Sequence, residues 1–203
     1  MRKAVILTFF LLWFLQSSGQ KFPHEIWYEG EVTLDSQQTV KGLIKYDFDN
    51  DAIQVNVDNL IKTYSARKFS YFEIFSPQEN SQRLFYSLPY RKISDYEVPT
   101  VFELIAAGKK LSLLAREIIV MESVPQYDFY SSSSYYYNRT RLYYNFFFLF
   151  PTGKIKEYRI GKKELLYIMK DKSDLVKRFM KENRLKYDVK SDLIKIVEYY
   201  NSI

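Results

Sequence analysis

The chain has 203 residues, 47% hydrophobic and 27% charged, a formal net charge of +6, and 18% aromatic content, with nineteen Tyr and sixteen Phe against two Trp. This composition excludes a disordered, collagenous or disulfide-stapled chain, and with only one long apolar run, at the N-terminus, it excludes a polytopic membrane protein. The absence of cysteine and the presence of a single histidine remove the residues that most metal sites and nucleophilic triads use.

Arg2 and Lys3 precede an apolar core, Ala4 to Leu15, broken only by Thr8. Gln16-Ser17-Ser18-Gly19 then offers small residues at the positions a signal peptidase reads. The core of twelve residues is shorter than the about 20 a spanning helix needs. The pattern therefore predicts a signal peptide over 1–19, cleaved between Gly19 and Gln20. Without cysteine no lipid anchor can form there. The expectation is an exported protein, periplasmic or secreted, not lipid-anchored and with no transmembrane segment after processing. The 184 residues that remain suffice for one domain burying about 70% of its unfolded surface.

From Gly30 to Ile160 the apolar period is two. Val40, Gly42, Ile44 and Tyr46 alternate with Lys41, Leu43, Lys45 and Asp47, and Ile53, Val55 and Val57 resume the alternation beyond an Asp/Asn-rich interruption. Further strands are predicted at Glu31 to Leu34, Ile61 to Tyr64, Phe69 to Phe75, Leu84 to Leu88, Val101 to Ile105 and Leu111 to Met121. A last pair, Leu142 to Phe150 and Ile155 to Ile160, is joined by Pro151-Thr152-Gly153. About ten short strands with local turns predict a mainly β domain over 20–160. Its antiparallel sheet should curl into a barrel or split into a sandwich.

At Gly161 the period changes to that of helices. Leu165, Leu166 and Met169 mark a first helix. Leu175, Val176, Phe179 and Met180 mark a second, with Ser173 or Asp171 as its cap. Leu193, Ile194, Val197 and Tyr200 mark a third, opened by Asp188 or Ser191. Residues 161–203 are thus expected to pack on the β domain, giving an α+β protein overall. After removal of the signal the whole charge excess, +4, lies in this segment, with eleven basic and seven acidic residues. Interspersed signs fit a solvated face, with weak contact to an anionic membrane surface as the other reading. No helix-turn-helix, zinc-finger or RNA-binding signature occurs, so nucleic acid is not an expected partner.

Several stretches carry a resemblance. Val40-Lys41-Gly42-Leu43-Ile44-Lys45-Tyr46-Asp47, Ile61-Lys62-Thr63-Tyr64-Ser65-Ala66-Arg67, Phe72-Glu73-Ile74-Phe75 and Phe85-Tyr86-Ser87-Leu88-Pro89-Tyr90 look like a family of uncharacterised exported proteins of Bacteroidota. The ending from Asp192-Leu193-Ile194 through Val197-Glu198-Tyr199-Tyr200-Asn201-Ser202 is similar to tails of the same group. The resemblance implies an envelope protein and brings no catalytic residue, substrate or cofactor with it.

Candidate chemistry is sparse. His24 is the sole imidazole and sits close to the expected mature N-terminus. Asp47, Asp49, Asp51 and Asp58 have calcium-loop spacing, but Ala52 replaces the loop's glycine and strands flank it, which favours a hairpin turn. Glu73, Glu103 and Glu117, with Arg116 nearby, are the carboxylates a glycoside hydrolase would need to face one another. No Walker loop, dinucleotide glycine pattern, nucleophile elbow or two-His metal motif occurs, so neither a cofactor nor a metal is expected.

The outlier is Tyr127 to Phe150, where twelve of 24 positions are aromatic. The Phe146-Phe147-Phe148 run reads as core. Tyr135-Tyr136-Tyr137 does not, because three consecutive residues of an extended chain cannot face one core. The expectation is an exposed, flexible loop whose Tyr130, Tyr135, Tyr136 and Tyr137, with Arg139 and Arg141, bind a partner. The leading functional expectation is a non-enzymatic envelope component recognising a protein or surface glycan. A carrier of an apolar ligand in the curled sheet and a carboxylate-dependent hydrolase are the alternatives.

Overall fold

The computed structural model describes residues 22–92, 96–128, 130 and 133–203. The expected signal peptide and its Gly19/Gln20 cleavage site lie outside them. The alternating stretch forms β1 (Tyr28–Leu34), β2 (Thr39–Asp47), β3 (Ala52–Val57), β4 (Leu60–Ser65), β5 (Phe69–Ser76), β6 (Ser81–Tyr90), β7 (Val98–Ala106), β8 (Ser112–Asp128), β9 (Ser133–Leu149) and β10 (Ile155–Tyr158). All pair antiparallel in one open sheet, in the order β10-β9-β8-β7-β6-β5-β1-β2-β3-β4.

That order forces a curl. In a flat sheet β4 and β5 would lie four strand spacings apart, about 19 Å. Only residues 66–68 connect Ser65 to Phe69, a span of about 14 Å at full extension. The half from β1 to β5 must therefore roll up, though no β4–β5 ladder closes it. The tight β3–β4 connection fits this twist, with Asp58 and Asn59 both at positive φ, 50° and 65°.

Directly opposed residues of a sheet share a face, and one row crosses eight strands: Val40, Val32, Phe72, Phe85, Glu103, Ala115, Phe146 and Tyr158. On the curled side this face encloses Tyr28, Val32, Ile44, Tyr46, Phe69, Phe72 and Phe85, with Phe72 stacked on Phe85 at 4.6 Å. On the other side three helices cover it: α1 (Lys162–Ile168), α2 (Ser173–Glu182) and α3 (Lys190–Ser202). Leu165, Met169, Val176, Met180, Leu193, Ile196, Val197 and Tyr200 meet Leu113, Ala115, Phe146 and Phe148 there. Glu103 brings a charge into this row between the two apolar clusters.

The helices depart from the expected pattern in two ways. Leu175 stays exposed, and Phe179 stacks on Tyr199 at 4.0 Å rather than entering the sheet cluster. The predicted caps do not cap. Lys172 and Val189 occupy those positions without a side-chain bond, in place of Ser173, Asp188 or Ser191, while the candidate Asp171 accepts from the Tyr200 hydroxyl at 2.7 Å. What locks α3 down is Asn201. Its amide bonds the Lys110 and Leu111 N–H groups and the Leu111 and Val197 carbonyls at 2.8–3.1 Å. A Cβ on Gly108 would fall 2.1 Å from that amide, so the β7–β8 turn has glycine where Asn201 seats.

Candidate functional site

β8 and β9 are longer than their alternation predicted, 17 residues each, and pair without a break from Ser112–Leu149 to Asp128–Ser133. Among the described residues β7 pairs with β8 only at Leu113 to Ala115, and β10 with β9 only at Phe146 to Leu149. Beyond Arg116 and Asn145 the two strands therefore leave the sheet as a two-stranded ribbon.

The departure point is built from side chains. Where β8 leaves β7, the Val101 backbone loses its strand partner and needs another. The Asp51 carboxylate accepts from the Val101 N–H at 2.9 Å, and Arg116 donates to the Val101 carbonyl at 2.5 Å and to Asp51 at 2.6 Å. Arg116 also bonds the Phe48 carbonyl and lies over the Phe48 and Phe102 rings, and Lys92 pairs with Asp51.

The neighbouring Glu117 points to the other face, into a fully bonded buried network. Arg83 grips Glu103 in bidentate fashion at 2.7 and 2.8 Å, bonds Glu117 at 2.5 Å and reaches the Tyr46 oxygen at 3.2 Å, while Tyr46 donates to Glu117 at 2.7 Å. Burial, reinforced by the Glu117 carboxylate and opposed by Arg83, holds the Tyr46 hydroxyl far above its ordinary range. Burial alone would lower Arg83, but its bonds to Glu103 and the surrounding charge hold it above its usual value. Of the three carboxylates singled out by sequence, the structure joins Glu103 and Glu117 around a guanidinium and leaves Glu73 on its own strand. Arg116, the expected partner, serves Asp51 instead. This is a strut pinning β2 to β8, with no open cleft between the acids.

The other sequence candidates are turn residues. Asp47 accepts from the Asp49 and Asn50 amides, Asp51 is engaged as above, and Asp58 belongs to a separate turn. Among the described residues no cluster is placed to hold a metal ion. His24 stacks on Phe22 at 6.1 Å and lines a narrow cleft of about 40 Å³ with Asp47, Asp49, Glu117, Ile119 and Leu142.

The ribbon holds every residue proposed for binding. Tyr130 lies in the turn at its tip, fully exposed. Tyr135, Tyr136 and Tyr137 are not in a flexible loop. They belong to β9, opposite Gln126, Pro125 and Val124. Serines and tyrosines without apolar contrast read as a loop, but the chain pairs regularly. Alternation sends Tyr136 to one face, with Ile119, Met121, Pro125, Tyr127 and Leu142. Tyr135 and Tyr137 take the other, with Val120, Glu122, Arg139, Arg141 and Tyr143. Both faces are open: Tyr136 is 72% exposed, Met121 69%, Tyr127 54% and Tyr135 49%. Glu122 orders the charged face, accepting from Arg139 at 3.1 Å and from the Tyr143 hydroxyl, with Arg141 at 3.7 Å. The Tyr143 and Arg139 bonds hold the Glu122 carboxyl below its usual range. Among the described residues Arg139 Nε has no acceptor. Ile119, Met121 and Glu122 escaped the sequence reading because, with both faces wet, no period separates inside from outside.

No protein family, curated protein or solved structure matches this chain.

Proposed function

We propose that this is an exported, non-enzymatic envelope protein that recognises a protein or surface glycan through the β8–β9 ribbon. One observation carries the reading: two paired strands leave the sheet with apolar and aromatic side chains on both faces, and among the described residues Met121, Tyr127, Tyr135 and Tyr136 stay about half or more exposed. An isolated two-stranded hairpin is marginal by itself in water, and contiguous exposed apolar surface marks interaction sites. Tyrosine offers large contact area with two torsions to freeze, and Tyr and Arg are enriched at interface hot spots. The carrier alternative finds less support, because the curled half is filled with its own rings, Tyr46 lying 5.0 Å from Phe48 and 5.2 Å from Phe85. The hydrolase alternative finds less still, with both convergent acids buried against Arg83. Among the described residues no helix is long and apolar enough to cross a membrane, and the basic helical segment remains available for weak contact with an anionic surface.

The test is to replace Tyr135, Tyr136 and Tyr137 by Ser together and pass envelope extract, untreated or protease-digested, over the immobilised full chain. The wild type should retain a discrete component that the variant loses, and digestion separates a protein from a glycan. Equal retention by both proteins would overturn the reading.

A further inference from the structure

We infer that the partner of this ribbon is a second copy of the chain, paired antiparallel through the outer edge of β9; the inference rests on the ribbon being a binding surface. A ribbon has two edges with unpaired backbone groups, and these edges are not equivalent. Pro125 has no N–H, yet it sits inside the unbroken β8–β9 ladder opposite Tyr136. It fits there only where the missing N–H would point away from β9, so the outer edge of β8 lacks a donor at mid-length. Proline on an edge strand is a known way of blocking strand addition.

The same register fixes which groups β9 presents. If Pro125 and Tyr136 form a non-hydrogen-bonded pair, then Tyr136, Asn138, Thr140 and Leu142 turn their N–H and C=O groups outward. The far end of the strand agrees: the Phe150 N–H, of the same parity, bonds the Lys154 carbonyl on the β10 side at 2.9 Å. The β9 edge is therefore complete from Tyr136 to Leu142, with no proline, until β10 begins at Phe146.

This edge is self-complementary about a two-fold axis at Tyr137. Tyr137 then meets its own copy, Tyr135 lies opposite the second copy's Arg139, and Tyr136 opposite its Asn138. Arg139 and Arg141 both lean on Glu122 within one copy; across the axis Arg139 meets the uncharged Tyr135 ring, a cation–π partner, and Arg141 falls opposite Ser133. No like charges oppose each other. The two bodies lie at opposite ends of the joined ribbons, clear of each other. An edge of this length is at the small end of interfaces, so association on the order of micromolar is expected.

Ser123 and Asn138 are directly opposed, one on each edge of the ribbon. Ser123→Pro and Asn138→Pro therefore each remove one outward N–H at the same level, with comparable local disturbance. Sedimentation equilibrium of the full chain from about 1 to 200 μM should show a dimer for the wild type and for Ser123→Pro, and a monomer for Asn138→Pro. A monomeric wild type, or both variants behaving alike, would overturn the inference. Run beside the envelope-extract test, the two failures are separable. A monomer that still retains an extract component through its tyrosines contradicts only the dimer, and a dimer that retains none contradicts recognition of a different partner.

Discussion

The same two strands behave differently at their two ends. At the base of β8 and β9, Leu113, Ala115, Phe146 and Phe148 are buried between the sheet and three helices. Past Arg116, identical antiparallel pairing continues, but Met121, Tyr127 and Tyr136 lie in solvent. The backbone ladder is therefore not what distinguishes folded body from ribbon. Hydrogen bonds exchanged with water contribute about 0.5–1.5 kcal/mol each, whereas a buried large apolar side chain contributes about 1.5–3 kcal/mol. Stability resides where a third layer covers the strands. The aromatic side chains beyond that layer are the ones the proposed recognition uses.

The sharpest way to break the comparison is at the strut beneath the ribbon. Arg83→Met strands Glu103 and Glu117 as buried, unneutralised carboxylates and should cost about 3–5 kcal/mol in denaturant unfolding. Replacing Arg83, Glu103 and Glu117 together by apolar residues should recover most of that loss. A mild effect of Arg83→Met alone would mean that water reaches the acids.

Next comes the helical lock. Asn201→Ala removes an amide serving four backbone groups around Lys110 and Leu111 and should cost about 1–3 kcal/mol, read as a drop in melting temperature. Loss of the lock should loosen the helices while leaving the ribbon's solvent exposure unchanged.

Alkali probes the same layer. Burial, then hydrogen bonding to and the charge of Asp171, pushes the Tyr200 hydroxyl up to about 12. Burial pushes Tyr158, which donates to the Tyr187 carbonyl at 3.0 Å, to about 12. Unfolded tyrosines ionise near 10, so between about pH 10 and 12 the folded state holds more protons than the unfolded one. Stability should be full below pH 10 and fall as pH rises through that window, as chemical denaturation at stepped pH would show. A flat profile would mean that these hydroxyls are solvated.

The smallest expected effect lies in the ribbon. Replacing Tyr135, Tyr136 and Tyr137 by Ser should change body stability by no more than about 0.5 kcal/mol per position, the range of ordinary surface substitutions. A fall of many degrees in melting temperature would place these rings in the body's core.

The contrast also marks where the sequence could be read. Strands with one dry face, such as β2 with Ile44 and Tyr46 buried against exposed Leu43 and Asp47, show their period because burial separates the faces. The helical stripes are readable for the same reason at Val176, Met180, Leu193 and Val197. The ribbon carries no such contrast, so Tyr127 to Tyr137 read as a loop although they pair as strand. The strut was out of reach for another reason. Tyr46, Arg83, Glu103 and Glu117 are separated by up to 71 positions and meet only because the sheet curls. Arg83 itself fell just outside its predicted strand. The helix caps failed as well: Tyr200 claims the Asp171 carboxylate, and Lys172 and Val189, rather than Ser173, Asp188 or Ser191, fall at the cap positions.

Hydrogen exchange on the full chain, at a concentration low enough to keep it monomeric, tests the central claim within a single pair of strands. Amides of Leu113 to Ala115 and Phe146 to Phe148 should exchange about a hundredfold or more slowly than those of Val120 to Val124 and Tyr137 to Arg141. Protection that ran evenly from the base of the hairpin to its tip would show the ribbon to be part of the folded body and would contradict the account.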